Sequence, residues 1–300
     1  MSATKIACIG EAMVELAIDR DRSDIAYVGV AGDTLNTAIY LKRCAPELQV
    51  SYVTRLGQDA FSRQMIAFMQ DEDIDTSLIG FSERRTPGLY SISTDAAGER
   101  TFAYWRDSSA AREMFEGGDP ELSALDDFDV VYLSAITLAI LSTDARARLM
   151  TWIAGYRQNG GKIAFDSNYR PLLWPDGDTA RSAIAAMWRC SDIALPSVDD
   201  EKIAFGDVDS DAVVARMLSY GVRNGALKRG ADGPVSFVGT EPQEFAPASV
   251  VIDSTAAGDS FSGGYLAAYL QGQEQSACLQ AGHNLAVRVL GFKGAIIPKD

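Results

Sequence analysis

The stretch Asp-Ser-Thr-Ala-Ala-Gly-Asp at residues 253–259 combines small residues that suit an anion-binding turn with a carboxylate. An apolar run at 250–252 leads into it and a helical pattern leads out, so a strand is expected to turn into a helix here. A helix start offers unpaired N–H groups and a positive dipole end to an anion. A carboxylate at such a site, Asp259, indicates proton transfer from a hydroxyl while the N–H groups stabilise phosphoryl oxygens, the chemistry of alcohol phosphorylation.

A purely structural explanation exists for the same residues, with 256–258 as a tight turn and Asp259 as a helix cap. The stretch, however, resembles the C-terminal signature of the ribokinase-like (PfkB) family of sugar kinases, usually Asp-Thr-Thr-Gly-Ala-Gly-Asp. The resemblance implies that Asp259 is the general base and that Ala256, Ala257 and Gly258 form the anion hole. Ala256 stands where the family pattern has Gly. The variant Ala-Ala-Gly-Asp-Ser-Phe is similar to the branch of the family that phosphorylates 2-keto-3-deoxygluconate.

Alternating residues at 88–106 predict a β-hairpin around a turn at 95–98. Side chains alternate with period two, so Phe102, Tyr104 and Arg106 share one face, and Tyr90 shares a face with Ile92. A solvated sheet face is the alternative explanation. The functional interpretation is a substrate lid, in which tyrosine hydroxyls contact sugar oxygens and Arg106 contacts an acidic group.

Arg170 follows a predicted strand at 163–166. Ligands of open α/β sheets bind beyond the carboxyl ends of the strands, which places Arg170 toward a ligand; a surface-loop arginine is the alternative. Guanidinium groups bind carboxylates in bidentate geometry. Arg106 and Arg170 converging on one site would therefore indicate a sugar acid as the substrate and not a neutral sugar.

Residues near the N-terminus also resemble family motifs. Gly32, Asp33 and Asn36 match the Gly-Gly-Asp-x-x-Asn pattern that grips sugar hydroxyls, with Ala31 in place of the first Gly. Capping of a helix by Asp33 or by residue 34 is the alternative explanation. Glu11, after the first predicted strand, resembles the family opening and could equally be a surface cap.

The nucleotide site is implied by a basic, glycine-containing turn. Lys228, Gly230 and Gly233 resemble the ATP-contacting segment Lys-x-Gly-x-x-Gly, although a plain β-turn would explain the same sequence. Asn168 matches a family position near the phosphates, and Arg170 is assigned there as well. The resemblance implies ATP and Mg²⁺, and it leaves a monovalent cation open.

No direct metal ligand is assigned from the sequence. Residues 196–201 occupy the place of the family's Asn-x-x-Glu, which helps to hold metal and phosphate, with Ser197 in place of Asn. Either Asp200 or Glu201 could take the acidic role. A zinc site is disfavoured because the chain has a single histidine, His283.

Composition excludes several classes of partner. The 300 residues carry a net charge of −14, which disfavours nucleic acids and anionic membrane surfaces. No apolar run approaches the length needed to span a membrane, and no signal sequence is recognised. The four cysteines show no C-x-x-C spacing, as expected for reduced thiols in the cytoplasm.

The elements that position these residues alternate between strand and helix. Strands are predicted at 5–9, 130–133, 163–166, 193–195, 225–228, 235–238 and 250–252. Helices are predicted at 34–44, 60–70, 143–159, 179–188, 211–220, 259–270 and 276–290. This order predicts an α/β fold with a mainly parallel sheet covered on both faces. With the resemblance, it implies one ribokinase-like domain, 1–300: a three-layer α/β/α sandwich with a small β lid from about 12–30 and 86–108.

Together with the two arginines, the resemblance therefore implies an ATP-dependent kinase that phosphorylates the terminal primary hydroxyl of 2-keto-3-deoxygluconate. Its partners are a sugar acid and ATP, and the lid edge predicts a homo-oligomer. A neutral-sugar kinase of the fructokinase or ribokinase type is the first alternative, and a non-catalytic sugar- or nucleotide-binding protein is the second. A Walker A loop is absent. A serine hydrolase built on Ser260 and His283 lacks an orienting acid in the sequence.

Overall fold

The computed structural model describes residues 3–22, 24–94, 100–118, 120–239 and 243–299. Its strands, in chain order, are β1 (Lys5–Ile9), β2 (Met13–Ile18), β3 (Ala26–Ala31), β4 (Gln49–Leu56), β5 (Ile79–Phe81), β6 (Gly88–Thr94), β7 (Arg100–Trp105), β8 (Val130–Ser134), β9 (Lys162–Asp166), β10 (Ile193–Leu195), β11 (Asn224–Leu227) and β12 (Val235–Ser236). Its α-helices are α1 (Asp33–Cys44), α2 (Ala60–Asp71), α3 (Ala135–Ile140), α4 (Thr143–Gln158), α5 (Gly177–Arg189), α6 (Val198–Phe205), α7 (Ser210–Ser219), α8 (Ala257–Leu270) and α9 (Gln275–Leu290).

Eight strands form the central sheet, in the order β12-β11-β10-β9-β8-β1-β4-β5. Every pairing in it is parallel except that of β11 with β12. Alternate residues of β1 face opposite sides: Ala7 and Ile9 pack in the core with α3, α4 and α5, whereas Ile6 and Cys8 pack with α1, α2, α8 and α9. Both faces are thus covered by helices, which confirms the predicted three-layer α/β/α sandwich.

The lid is a second sheet of four strands, in the order β3-β2-β6-β7. Its outer pairs, β2 with β3 and β6 with β7, are antiparallel hairpins, and β2 pairs with β6 in parallel. The predicted hairpin at 88–106 is therefore present as β6 and β7. Its predicted turn at 95–98 lies outside the described residues.

Most of the predicted elements agree with the structure to within one or two residues, but the strand predicted at 250–252 is wrong. These residues pair with no strand among the described residues, and Val250, Val251 and Ile252 are 58%, 63% and 58% exposed. A short apolar run predicts burial, but periodicity alone does not distinguish a core strand from an extended surface segment. The prediction also omitted β4, β5, α3 and α6, whose apolar residues are flanked by weak turn signals.

The start of α1 excludes the capping alternative for Asp33 and Thr34. Gly32 is its N-cap, so neither Asp33 nor Thr34 caps the helix. A Cβ at Gly32 would lie 2.3 Å from the Glu11 carbonyl oxygen, which shows how closely the two backbone segments approach. Thr34 lies inside the helix and shares a 3.1 Å hydrogen bond with the Tyr52 hydroxyl.

Helices long and apolar enough for a membrane span do not occur in the part of the chain that the structure describes.

Candidate active site

The turn before α8 has the geometry of an anion site. Ala256 is the N-cap residue and adopts the left-handed conformation, with φ 59° and ψ 14°. The buried Asp253 carboxylate braces the turn, since it accepts hydrogen bonds from the Thr255 N–H at 2.9 Å and the Gly294 N–H at 2.6 Å. Helix geometry leaves the first-turn N–H groups, including that of Gly258, without intrahelical acceptors. Gly258 is exposed, so its N–H can face a ligand.

Asp259 lies in the first turn of α8 and is held by α1. The Asn36 side-chain amide donates to Asp259 Oδ2 over 2.8 Å, and the Thr37 hydroxyl donates to the Asp259 carbonyl over 3.1 Å. Burial and the neighbouring Asp33 carboxylate raise the pKa of Asp259 to about 7, against the lowering effects of Asn36 and Lys228. A carboxyl group with this pKa can accept and release a proton near neutral pH.

Lys228 supplies positive charge beside the anion turn. Its ammonium group donates to Asp166 Oδ2 at the end of β9 over 2.5 Å. Ser262 of α8 donates to the same oxygen over 2.9 Å. A Cβ built on Gly258 would lie 3.7 Å from the Lys228 nitrogen, so the ammonium group lies next to the first turn of α8. An anion bound there would meet a fixed cation as well as N–H groups.

Asp33, whose charge acts on Asp259, also meets Asn168. The Asn168 amide donates to Asp33 Oδ2 over 2.9 Å, and Ser134 donates to the same oxygen. Asn168 has a positive φ of 21°, and its backbone N–H is held by Asp166 Oδ1 at 3.2 Å. Such a sparsely populated backbone conformation is maintained by the surrounding contacts and is frequent at functional sites.

Arg106 is buried where the lid joins the body, immediately after β7. It donates to the fully buried carboxylate of Glu11, which links β1 to β2. Glu11 Oε1 and Arg106 Nε are buried and make no hydrogen bond to the described residues. The surface-cap explanation for Glu11 is therefore wrong, because its side chain is 0% exposed and ion-paired.

The lid tyrosines share one face, as alternation predicts. Tyr90 pairs with Tyr104 across β6 and β7, and their ring centroids are 5.8 Å apart. Tyr90 is buried and donates its hydroxyl to Glu15 of β2, whereas Tyr104 is 53% exposed. Tyr90 belongs to an apolar cluster with Met13 against which Ala256 packs, so this lid face lies next to the anion turn.

Arg170 and Asp200 meet at the rim of the site. Their side chains approach to 3.6 Å, and the Arg170 side chain is 54% exposed. Asp200 also accepts from Ser167 over 3.1 Å, and burial raises its pKa. Glu201 points elsewhere: it is fully buried and paired with Arg216 at 2.7 Å. Of the two acidic candidates, only Asp200 therefore lies beside the predicted site residues.

The segment that resembles a nucleotide turn bends through two glycines with positive φ. Gly230 has a φ of 58° and Gly233 of 72°, conformations that favour glycine. A Cβ on Gly233 would lie 2.7 Å from the Phe245 ring, so the turn also packs closely. Arg229 donates to the Gly233 carbonyl over 2.9 Å and closes the turn.

These contacts connect most of the predicted site residues. Asn36 joins Asp259, Asn168 joins Asp33, and Lys228 joins the anion turn, while Arg106 pairs with Glu11 and Arg170 with Asp200. No sequence motif indicated Asp166, Thr37 or Glu15 as residues of the site. Asp166 could have been predicted, because it lies at the carboxyl end of a strand, where ligands of open α/β sheets bind. Thr37 and Glu15 act through contacts that no local pattern indicates.

Groups of three or more His, Cys, Asp or Glu side chains suited to one metal ion do not occur among the described residues. A Mg²⁺ ion that accompanies a nucleotide is held mainly through phosphate oxygens and water and needs only one or two carboxylates, which the partly exposed Asp200 side chain could provide.

Comparison with known proteins gives consistent matches along the chain. The family of pfkB carbohydrate kinases matches the chain over residues 3–300. A 2-dehydro-3-deoxygluconokinase of Dickeya dadantii is 44% identical over 309 residues, covering 100% of this chain and 99% of that protein. One of Escherichia coli K12 is 43% identical over 308 residues, covering 99% and 98%. The crystal structure of fructokinase with bound ATP from Xylella fastidiosa has a TM-score of 0.82 at 20% identity, covering 97% and 93%.

Proposed function

The chain belongs to the pfkB family of carbohydrate kinases, and from this we propose that it is a 2-dehydro-3-deoxygluconokinase (EC 2.7.1.45). It transfers the γ-phosphoryl group of ATP to the terminal primary hydroxyl of 2-keto-3-deoxygluconate and yields 2-keto-3-deoxy-6-phosphogluconate and ADP. The observation that carries the proposal is the Asp259 carboxyl group, which has a pKa near 7 in the first turn of α8 and is held by Asn36.

Asp259 is the general base of this reaction. It accepts the proton of the primary hydroxyl as the hydroxyl oxygen attacks the γ-phosphorus, and the bond from that phosphorus to the departing ADP oxygen breaks. The N–H groups of 256–258 and the Lys228 ammonium group stabilise the negative charge on the phosphoryl oxygens. The 2.5 Å contact with Asp166 fixes that ammonium group, which supports this role.

Arg106 and Arg170 bind the carboxylate at the opposite end of the sugar acid, and Tyr90 and Tyr104 cover its chain. Glu11 holds Arg106 at the base of the lid. Asn168, bonded to Asp33, lies beside Gly32 and the start of α1, which supports a shared site for these elements. Gly32, Asp33 and Asn36 contact sugar hydroxyls in this proposal, with Asn36 also orienting Asp259. Closure of the lid excludes water from the reacting groups.

ATP lies along the C-terminal half, with its phosphates between Asn168, Arg170 and the turn of Lys228, Gly230 and Gly233. When bound, Mg²⁺ supplies charge neutralisation on the phosphate oxygens. Asp200 would hold it, in part through water, because its carboxylate lies beside Arg170 and near Lys228 and Asp166. A monovalent cation is not assigned a role.

The proposal includes a homo-oligomer and a cytoplasmic location. The outermost strands of the four-stranded lid sheet, β3 and β7, carry exposed apolar side chains: Tyr27 is 62% and Trp105 is 61% exposed. An apolar sheet of this kind is a surface for a second copy. The four cysteines are free, as suits a reducing compartment. Sedimentation velocity tests the assembly; a monomer at high concentration would contradict it.

The decisive experiment compares ADP release with 2-keto-3-deoxygluconate, its C4 epimer, fructose and ribose. We expect the highest kcat/KM with 2-keto-3-deoxygluconate. A higher value with fructose or ribose would support the neutral-sugar alternative, and ligand binding without ADP release would support the non-catalytic one.

A further inference from the structure

We propose that Glu15 is a specificity-determining positioning residue of the lid, because it fixes the direction of the Tyr90 hydroxyl so that Tyr90 selects a substrate hydroxyl. The inference rests on the proposed function, since the ligand it concerns is the sugar acid. Glu15 belongs to none of the kinase motifs, and the proton transfer to Asp259 does not involve it.

Glu15 occupies the centre of the lid face that covers the site. It is paired with Gly29 of β3 on one side and with Tyr90 of β6 on the other, and Tyr90 is paired with Tyr104 of β7. Residues paired in this way share a face of a sheet. A Cβ on Gly29 would lie 3.4 Å from Glu15 Oε1. The carboxylate thus has room to lie over Gly29 while it contacts Tyr90.

The direction of the hydrogen bond follows from the two groups. A carboxylate only accepts, so the Tyr90 hydroxyl is the donor to Glu15. Burial and the Glu15 charge raise the pKa of Tyr90, so the phenol keeps its proton. That single proton is committed to Glu15. The Tyr90 oxygen can therefore only accept a hydrogen bond from a ligand, and the ligand group that contacts it must be a donor.

The same face is turned toward the reacting groups. Tyr90 packs in the cluster of Met13 and Ala31, and Ala256 of the anion turn packs against that cluster. The charge of Asp259 also contributes to the raised pKa of Tyr90, which places the phenol within electrostatic range of the base. A ligand between Asp259 and the lid thus lies against the Tyr90 oxygen.

The backbone positions of Arg106 and Tyr90 are also offset along the lid sheet. Arg106 comes two residues after Tyr104, the cross-strand partner of Tyr90, and two residues of a strand span roughly 6.6 Å. A sugar acid whose carboxylate meets Arg106 therefore offers Tyr90 a hydroxyl farther along its chain. A carbonyl, a deoxygenated carbon or a second carboxylate at that position leaves the Tyr90 lone pairs without a donor and is rejected.

The test is a double-mutant cycle on Glu15→Met and Tyr90→Phe, with ADP release measured against 2-keto-3-deoxygluconate. Glu15→Met removes the acceptor and frees the phenol proton, so we expect KM to rise about tenfold with kcat within about twofold. Tyr90→Phe should raise KM by a similar factor. In the Tyr90→Phe background, Glu15→Met should have no further effect, because its action passes through that hydroxyl.

An additional effect of Glu15→Met in the Tyr90→Phe background would overturn the inference, as would an unchanged KM in the single variant. Glu15→Gln, which keeps an acceptor, should show a smaller KM increase and provides the measurement if Glu15→Met fails to fold. Glu47→Met is the matched control, since Glu47 is exposed and bonds Gln271 away from the site. Absence of turnover in the wild type would instead contradict the proposed function itself.

Discussion

The side-chain amide of Asn36 donates to the carboxylate of Asp259 over 2.8 Å and so joins two residues that are 223 positions apart. One belongs to the first turn of α1 and the other to the first turn of α8. The contact aligns the proposed base with the N-terminal ends of two helices. It also favours the charged form of the carboxyl group in a site whose burial and acidic neighbours oppose that charge.

Replacing Asp259 by Asn should lower kcat at least about 100-fold, because the amide cannot accept the hydroxyl proton. Binding of 2-keto-3-deoxygluconate, measured by calorimetry, should change little. Asp144→Asn is the control, since Asp144 is an exposed acidic residue in the first turn of α4. Turnover close to that of the wild type would show that another group takes the proton.

The pH dependence of kcat/KM should show an acidic limb near pH 7, with activity rising as Asp259 loses its proton. Asn36 lowers the pKa of Asp259, so Asn36→Leu should move this limb to higher pH. Rate profiles between pH 5.5 and about 9 measure the shift. A limb that moves to lower pH would contradict the role given to the amide.

Asp259→Asn should also stabilise the protein at alkaline pH. The pKa of Asp259 is higher in the folded chain than its ordinary value of 3.8, so the protonated group favours the folded state. This contribution to the free energy of unfolding is complete below pH 4 and is lost as the pH rises through 7. The variant lacks this charge. Its Tm should exceed that of the wild type at pH 8 by at least about 2 °C. Calorimetric scans at pH 5 should show a smaller difference, and an equal or larger one would be inconsistent with a buried charge.

Lys228→Met should raise the KM for ATP about tenfold or more, because the anion turn loses its fixed cation. The acidic limb should also move to higher pH, since Lys228 lowers the pKa of Asp259. Initial rates at varied ATP concentration and pH test both effects. Lys202→Met, at an exposed position of α6, is the control. An unchanged KM for ATP would remove Lys228 from the nucleotide site.

Arg170→Ala should lower kcat/KM for the sugar acid at least about tenfold more than for fructose, because only the acid carries a carboxylate to bind. Arg106→Ala should act in the same sense, but it also leaves the buried Glu11 charge unpaired and should lower the Tm. Arg181→Ala, on the exposed side of α5, is the control for both. Equal losses with acid and neutral sugars would refute carboxylate binding.

The sequence predicted the layers of the fold because they depend on strong local patterns. The apolar runs of β1, β8 and β9 are almost fully buried, and parallel strands of this kind predict helices on both faces. The segment at 250–252 has the same apolar character and remains on the surface. Its burial would depend on a neighbouring strand, and no residue of the run itself determines whether one is present.

The part of the candidate site that lies within one motif could be predicted from the sequence, whereas the contacts between distant residues were harder to predict. Asp259 and the turn of 256–258 are contiguous in the chain. The burial of Glu11 beneath Arg106 and the contact between Asp166 and Lys228 depend on pairings across 95 and 62 positions. A single sequence contains both partners but not the pairing, which is decided by the register of the strands and by which charges are buried together.

The lid is one sheet made from two separate excursions of the chain, 13–31 and 88–105, which are joined through the pairing of β2 with β6. The body strands β4 and β5 and helices α1 and α2 lie between them in sequence. A hybrid enzyme that receives only one excursion from a relative would therefore pair two lid halves of different origin. Glu15 and Tyr90 belong to different halves, so transfer of specificity by recombination requires two simultaneous exchanges and not one.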